Sequence, residues 1–88
     1  MTRRQRQLAR HALGLPNRHR TSFRNYYLAA YAPGVYDVWS AMEDAGLAEG
    51  GAIRNGARPF WLTHKGALAA LETGETLCPE DFPVQTGA

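Results

Sequence analysis

Acidic side chains are missing from the first third of this chain. Every charged residue before position 35 is an arginine: Arg3, Arg4, Arg6, Arg10, Arg18, Arg20 and Arg24. From position 35 onward the balance reverses, with three bases (Arg54, Arg58, Lys65) against eight acids (Asp37, Glu43, Asp44, Glu49, Glu72, Glu75, Glu80, Asp81). Such asymmetry predicts two electrostatic faces. Cysteine is scarce as well. Cys78 alone excludes an internal disulfide framework and any CxxC metal knuckle, which suits a reducing compartment. Long hydrophobic runs are also lacking. The longest, residues 26–32, falls far short of the roughly 18–20 residues a membrane span requires, and no hydrophobic region follows the basic start. Neither export nor membrane insertion is expected, and the expected compartment is the cytoplasm.

What remains is enough for one small core. A chain of 88 residues with 44% hydrophobic content can fold without metals or crosslinks, although it buries only about 60% of the surface its unfolded form exposes. The expected organisation is a single domain over residues 1–74 followed by an acidic C-terminal tail, residues 75–88, partly ordered at most. Within that tail Leu77 and Phe82 are the residues able to pin chain against the body.

A helical wheel over residues 3–15 collects Arg3, Arg4, Arg6, Gln7, Arg10 and His11 on one arc, opposite Leu8, Ala9, Ala12, Leu13 and Leu15. This predicts an amphipathic helix with a basic outside, ending near Gly14 because Pro16 disfavours helical geometry before it. Residues 21–32 fit either a strand or a helix, with a strand expected at their start. Val35, Val38, Trp39, Met42 and Ala45 recur at helical spacing up to Gly46, a natural cap. Asn55-Gly56 predicts a tight hairpin turn between residues 47–53 and 59–62, placing Phe60 and Leu62 on one face and Trp61 on the other. Pro59 is expected at an edge or a strand start. Thr63 should cap a last helix that carries Ala67, Leu68, Ala70 and Leu71 inward and stops near Gly74. In that helix Gly66 should permit a close backbone approach to the hairpin. Trp39, Phe60 and Leu68 are assigned to the core.

The sequence "AGLAEG", a hairpin, and then "FWLTHKGALAAL" resemble the second half of a winged-helix domain over residues 35–71. The resemblance implies an α+β fold: about three helices, a β-hairpin wing and a short additional strand. It also implies DNA-binding regulation through a recognition helix and wing. The chain departs from this pattern in having one helix where a helix-turn-helix is usual, and in that helix being acidic. Asp37, Glu43 and Asp44 would be repelled by phosphate, and the helix has no side chain suited to reading base edges. The opening "RHALGL" followed by "FRNYY" is similar to a group of short phage and prophage proteins. That likeness implies an accessory role such as inhibition of a host defence complex, for example a CRISPR effector.

Two function classes therefore stay open. In one, the chain is a non-enzymatic interaction protein of a host protein or ribonucleoprotein complex that handles nucleic acid. In the other it is a winged-helix-like regulator of double-stranded DNA, for which a homodimer would be expected. Candidate contacts to nucleic acid or an acidic partner are Arg3, Arg4, Arg6, Arg10, Arg18, Arg20, Arg24, Arg54 and Arg58. Candidate protein-interface residues are Tyr26, Tyr31, Tyr36, Asp37, Glu43 and Asp44, and about half of the tyrosines Tyr26, Tyr27, Tyr31 and Tyr36 are expected to be structural. Catalysis finds no constellation. Glu43 and Asp44 are adjacent and diverge on a helix, the three histidines lack metal-ligand spacing, and Cys78 sits among acids that disfavour a thiolate. No cofactor is implied.

Overall fold

A computed structural model of the chain describes residues 1–83. Among these residues the elements are α1 (Arg3–Leu13), β1 (Tyr27–Ala30), α2 (Val35–Asp44), β2 (Ala48–Gly50), β3 (Ala57–Leu62) and α3 (His64–Ala70). The strands form one antiparallel sheet in the order β1-β3-β2. The fold is thus α+β, with three helices on a three-stranded sheet, compatible with the winged-helix-like class expected. A single helix separates β1 from β2.

Local chemistry accounts for most boundaries. Thr2 and Gln5 form a capping box at the start of α1: Gln5 N–H donates to Thr2 Oγ1 (3.1 Å) and Thr2 N–H to Gln5 Oε1 (2.9 Å). Gly14 ends the helix in the left-handed conformation, φ 79°. At the hairpin, Asn55 and Gly56 have φ values of 52° and 74°, and Arg54 and Ala57 exchange two backbone hydrogen bonds of 2.8 and 3.0 Å. Both central residues have the positive φ that a type I′ turn requires. Thr63 caps α3 by accepting from Gly66 N–H. Gly66 is required by space: a Cβ there would lie 1.9 Å from the Leu47 carbonyl oxygen.

The core lies between the helices and the inner face of the sheet. Trp39 and Phe60, both fully buried, stack with centroids 5.5 Å apart. Leu8, Leu13, Met42, Leu62, Ala67 and Phe82 surround them. Residues 75–83 pack against the body: Thr21 bridges Thr76, Cys78 N–H donates to Ser22 Oγ (2.8 Å), and Phe82 is buried. The rest of the expected acidic tail, residues 84–88, lies outside the described residues.

Four expectations are corrected. The strand within residues 21–32 lies at their end, because the first half gives its amides to α1, with Phe23 N–H bonded to Leu13 O and Tyr26 N–H to Ala12 O (both 3.2 Å). Leu68 is 55% exposed rather than in the core, since α3 turns Gly66, Ala67 and Ala70 inward. The last helix ends at Ala70, short of Gly74, where the Arg10 guanidinium takes the Ala70 carbonyl at 3.0 Å. Finally, Pro59 stands inside the central strand rather than at an edge.

The central proline is tolerated because its missing donor is replaced. Gly51 N–H donates to Pro59 O (2.9 Å), so the polar groups of Pro59 face β2 and a non-proline residue would return a bond to Gly51 O. That carbonyl accepts instead from Arg58 Nε at 2.7 Å. Gly50 leaves room for the guanidinium: a Cβ there would lie 2.6 Å from Arg58 Cζ.

Candidate interaction surface

The nine arginines named from the sequence fall into three groups. Arg10 is buried between α1, the end of α3 and the segment after it. Its guanidinium clamps Glu75 bidentately, with Nη2 2.8 Å from Oε2, and lies 3.4 Å from Glu72. The side chains of Arg10 and Glu75 are only 10% and 7% exposed. Hydrogen bonding from Arg10 holds the Glu75 carboxyl below the usual range, and the same bonds raise the Arg10 pKa further. Arg10 therefore joins two helices and the C-terminal segment. Its position on the basic arc of the wheel is overridden by a partner far along the chain.

Arg58 is committed in the same way. Beyond Gly51 O, its Nη1 and Nη2 donate to Glu43 Oε1 and Oε2 at 3.0 and 2.9 Å, and its Cζ lies 4.7 Å from the Phe60 centroid. Hydrogen bonding from Arg58 lowers the Glu43 pKa and raises that of Arg58. Arg58 and Glu43, named separately as contacts to different partners, thus bind each other and fasten α2 to β3. Arg24 has a lighter structural task, donating from Nε and Nη2 to His11 O at 3.2 and 2.7 Å, a cation on the carbonyl end of α1. It stays exposed.

Arg3, Arg4, Arg6, Arg18, Arg20 and Arg54 are exposed and make no salt bridge among the described residues. Arg3, Arg4 and Arg6 line a shallow groove with Gln7, His11, Leu15, Pro16 and Tyr27. They crowd the start of α1, whose first turn holds no acid. Positive charge there opposes the helix macrodipole and costs about 0.3–1 kcal/mol per residue.

The tyrosines divide evenly. Tyr26 and Tyr31 are 53% and 57% exposed, whereas Tyr27 is half-buried between His11 and Trp39, and Tyr36 between Tyr31 and Phe60. Tyr36 is therefore mainly a packing residue. Asp37 caps α2, accepting from Gly34 N–H at 2.9 Å, and stays exposed, as does Asp44. These two keep α2 acidic on its outer side. No three His, Cys, Asp or Glu side chains among the described residues cluster to hold a metal, and no helix among them is long and apolar enough to cross a membrane.

The outer face of the sheet carries a surface that composition and motif do not mark. Tyr26, Leu28, Pro59 and Trp61 line a shallow apolar groove there together with Gly51, Ala57 and Arg54. Leu28 is 56% exposed. A period-two pattern was available, because Tyr26, Leu28 and Ala30 alternate with the inward Tyr27 and Ala29. It was masked because residues 26–32 are apolar on both faces.

No family model, curated protein or solved structure matches this chain.

Proposed function

We propose that the chain is a non-enzymatic interaction protein that modulates a nucleic-acid-handling complex by laying its open arginine face on an anionic surface of that complex. The observation that carries this reading is the placement of Arg3, Arg4 and Arg6, exposed and without an acidic partner among the described residues, at the helix end where positive charge destabilises. Within the fold, Arg4 Nη1 donates to Gln7 Oε1 at 2.9 Å, and no carboxylate among the described residues offsets the three charges. An anionic partner offsets them, because arginine forks match carboxylates and phosphates alike. Arg18 and Arg20, exposed in the loop after α1, add further positive charge.

The same geometry argues against sequence reading on duplex DNA. α2, which stands where a recognition helix would be sought, presents Asp37 and Asp44 outward and has Glu43 locked to Arg58. The test is fluorescence anisotropy with duplexes of varied sequence across a salt series, using the native chain and the Arg3→Glu, Arg4→Glu, Arg6→Glu triple variant. Weak, salt-steep binding without sequence preference, lost in the triple variant, is expected. Tight binding to one preferred sequence would overturn the reading in favour of a DNA-binding regulator.

A further inference from the structure

The second surface lies at the free edge of the sheet. Because the polar groups of Pro59 face β2, those of Arg58 and Phe60 face β1, and their partners Ala29 and Tyr27 face inward. Two flanking bonds fit this phase: Tyr31 N–H turns inward to Gly56 O (2.8 Å), and Tyr26 N–H turns outward to Ala12 O (3.2 Å). The polar groups of Leu28 and Ala30 therefore point away from the sheet. The Ala30 carbonyl is taken by Ala32 N–H at 2.9 Å, while the Leu28 N–H, the Leu28 C=O and the Ala30 N–H have no hydrogen bond among the described residues.

Natural edges are commonly blunted by a charged side chain, a proline, a bulge or a covering element. β1, with the sequence Tyr-Leu-Ala-Ala, has neither a charge nor a proline, and Leu28 and Ala30 are exposed. The surroundings are basic: His11 and Arg24 form a groove with Tyr26, Tyr27 and Leu28, and Arg54 stands by Leu28 on the outer face. Two carboxylates hold structural hydrogen bonds, Asp37 in capping α2 and Glu49 in accepting from Trp61 Nε1 (3.1 Å).

We propose that β1 docks an acidic, extended peptide segment of the partner as a fourth strand. Its backbone pairs with Leu28 and Ala30, its apolar side chains cover Leu28, Tyr26 and Pro59, and its carboxylates meet Arg24 and Arg54. The free donors and acceptor along an extended backbone suit a peptide, and the cations around them select an acidic one. This rests on the reading of a protein partner but uses a different surface from the arginine face of α1.

The test uses a short labelled peptide alternating glutamate and valine, titrated into the full chain. Hydrogen exchange at the Leu28 and Ala30 amides is the second readout. Protection of both amides is expected on binding, with at least a tenfold loss of affinity in Ala30→Pro and in Leu28→Asp. Both substitutions fall on an exposed edge, and circular dichroism melts check that the fold is retained. Affinity unchanged in both variants would overturn strand addition, as would preferential binding of an unstructured oligothymidylate in this groove. Protection arising without peptide, with concentration-dependent dimers in sedimentation, would assign the edge to a second copy of the chain and overturn the peptide as occupant. The Arg3→Glu, Arg4→Glu, Arg6→Glu variant separates the two readings. Edge binding that survives in it while anionic-surface binding disappears keeps both, whereas peptide binding lost only in the edge variants leaves the arginine face untouched.

Discussion

Arg6 and Arg10 stand one turn apart on the same helix, yet Arg6 is exposed without an acidic partner among the described residues while Arg10 is buried in a bidentate clamp. Helical periodicity places both on the polar arc. The difference comes from Glu75, 65 residues beyond Arg10, which the fold of α3 and the segment after it delivers to one arginine and not the other. The same contrast separates Arg58 from Arg54 on the hairpin. Identical residue types therefore divide into fasteners and contacts, and the surface left for a partner is smaller than the charge count implies.

The sharpest way to break this comparison is truncation. Arg10→Ala should cost about 3–5 kcal/mol, because it leaves Glu75 buried without its partner. Arg6→Ala should stay within about 0.5 kcal/mol of the native chain. Urea denaturation measures both, and equal losses would dissolve the distinction. Arg58→Ala should follow at about 1.5–3 kcal/mol, the range for hydrogen bonds to charged groups. Arg58→Lys should recover little, since a single ammonium cannot hold both Glu43 oxygens and the Gly51 carbonyl. Full recovery by lysine in thermal melts would show that charge alone matters there.

Acid should sharpen the contrast. Glu75 and Glu43 have pKa values lowered in the folded chain, so the stability they contribute is fully present above their unfolded values, about 4.3. It is lost as pH falls through the lower folded values. Thermal melts from pH 7 down to about pH 3 should show a declining midpoint, with a shallower decline in Arg10→Ala than in Arg6→Ala. One small effect has the opposite sign. Arg3→Glu should raise stability by about 0.3–1 kcal/mol by favouring the α1 dipole while weakening partner binding. A loss of stability in that variant would mean that Arg3 has a structural role.

Much of the fold was legible from local signals. The capped first helix, the Asn55-Gly56 turn, Thr63 as a cap and the tight approach at Gly66 each follow from short-range rules about φ, capping or space. Strand placement within residues 21–32 was not, because near-continuous apolarity hides the face and the extent of pairing is set by β3. Nor was the tolerance of Pro59, which depends on a guanidinium reaching Gly51 O. For the candidate surface, Arg3, Arg4, Arg6, Arg18, Arg20, Tyr26 and Tyr31 lie exposed. Arg10, Arg58 and Glu43 were withdrawn by partners distant in sequence.

By itself the sequence determined the class of fold, the basic bias of the first third and the turns that bring β2 against β3, since these depend on periodicity, composition and allowed backbone angles. Tertiary structure alone decided which arginines are free of acidic partners among the described residues, which carboxylates neutralise the others and which backbone groups of β1 lack a partner there. Those outcomes depend on which groups meet across 15 to 65 residues of chain. Ion pairing and strand pairing act through space, and no local pattern encodes the distance that remains after folding.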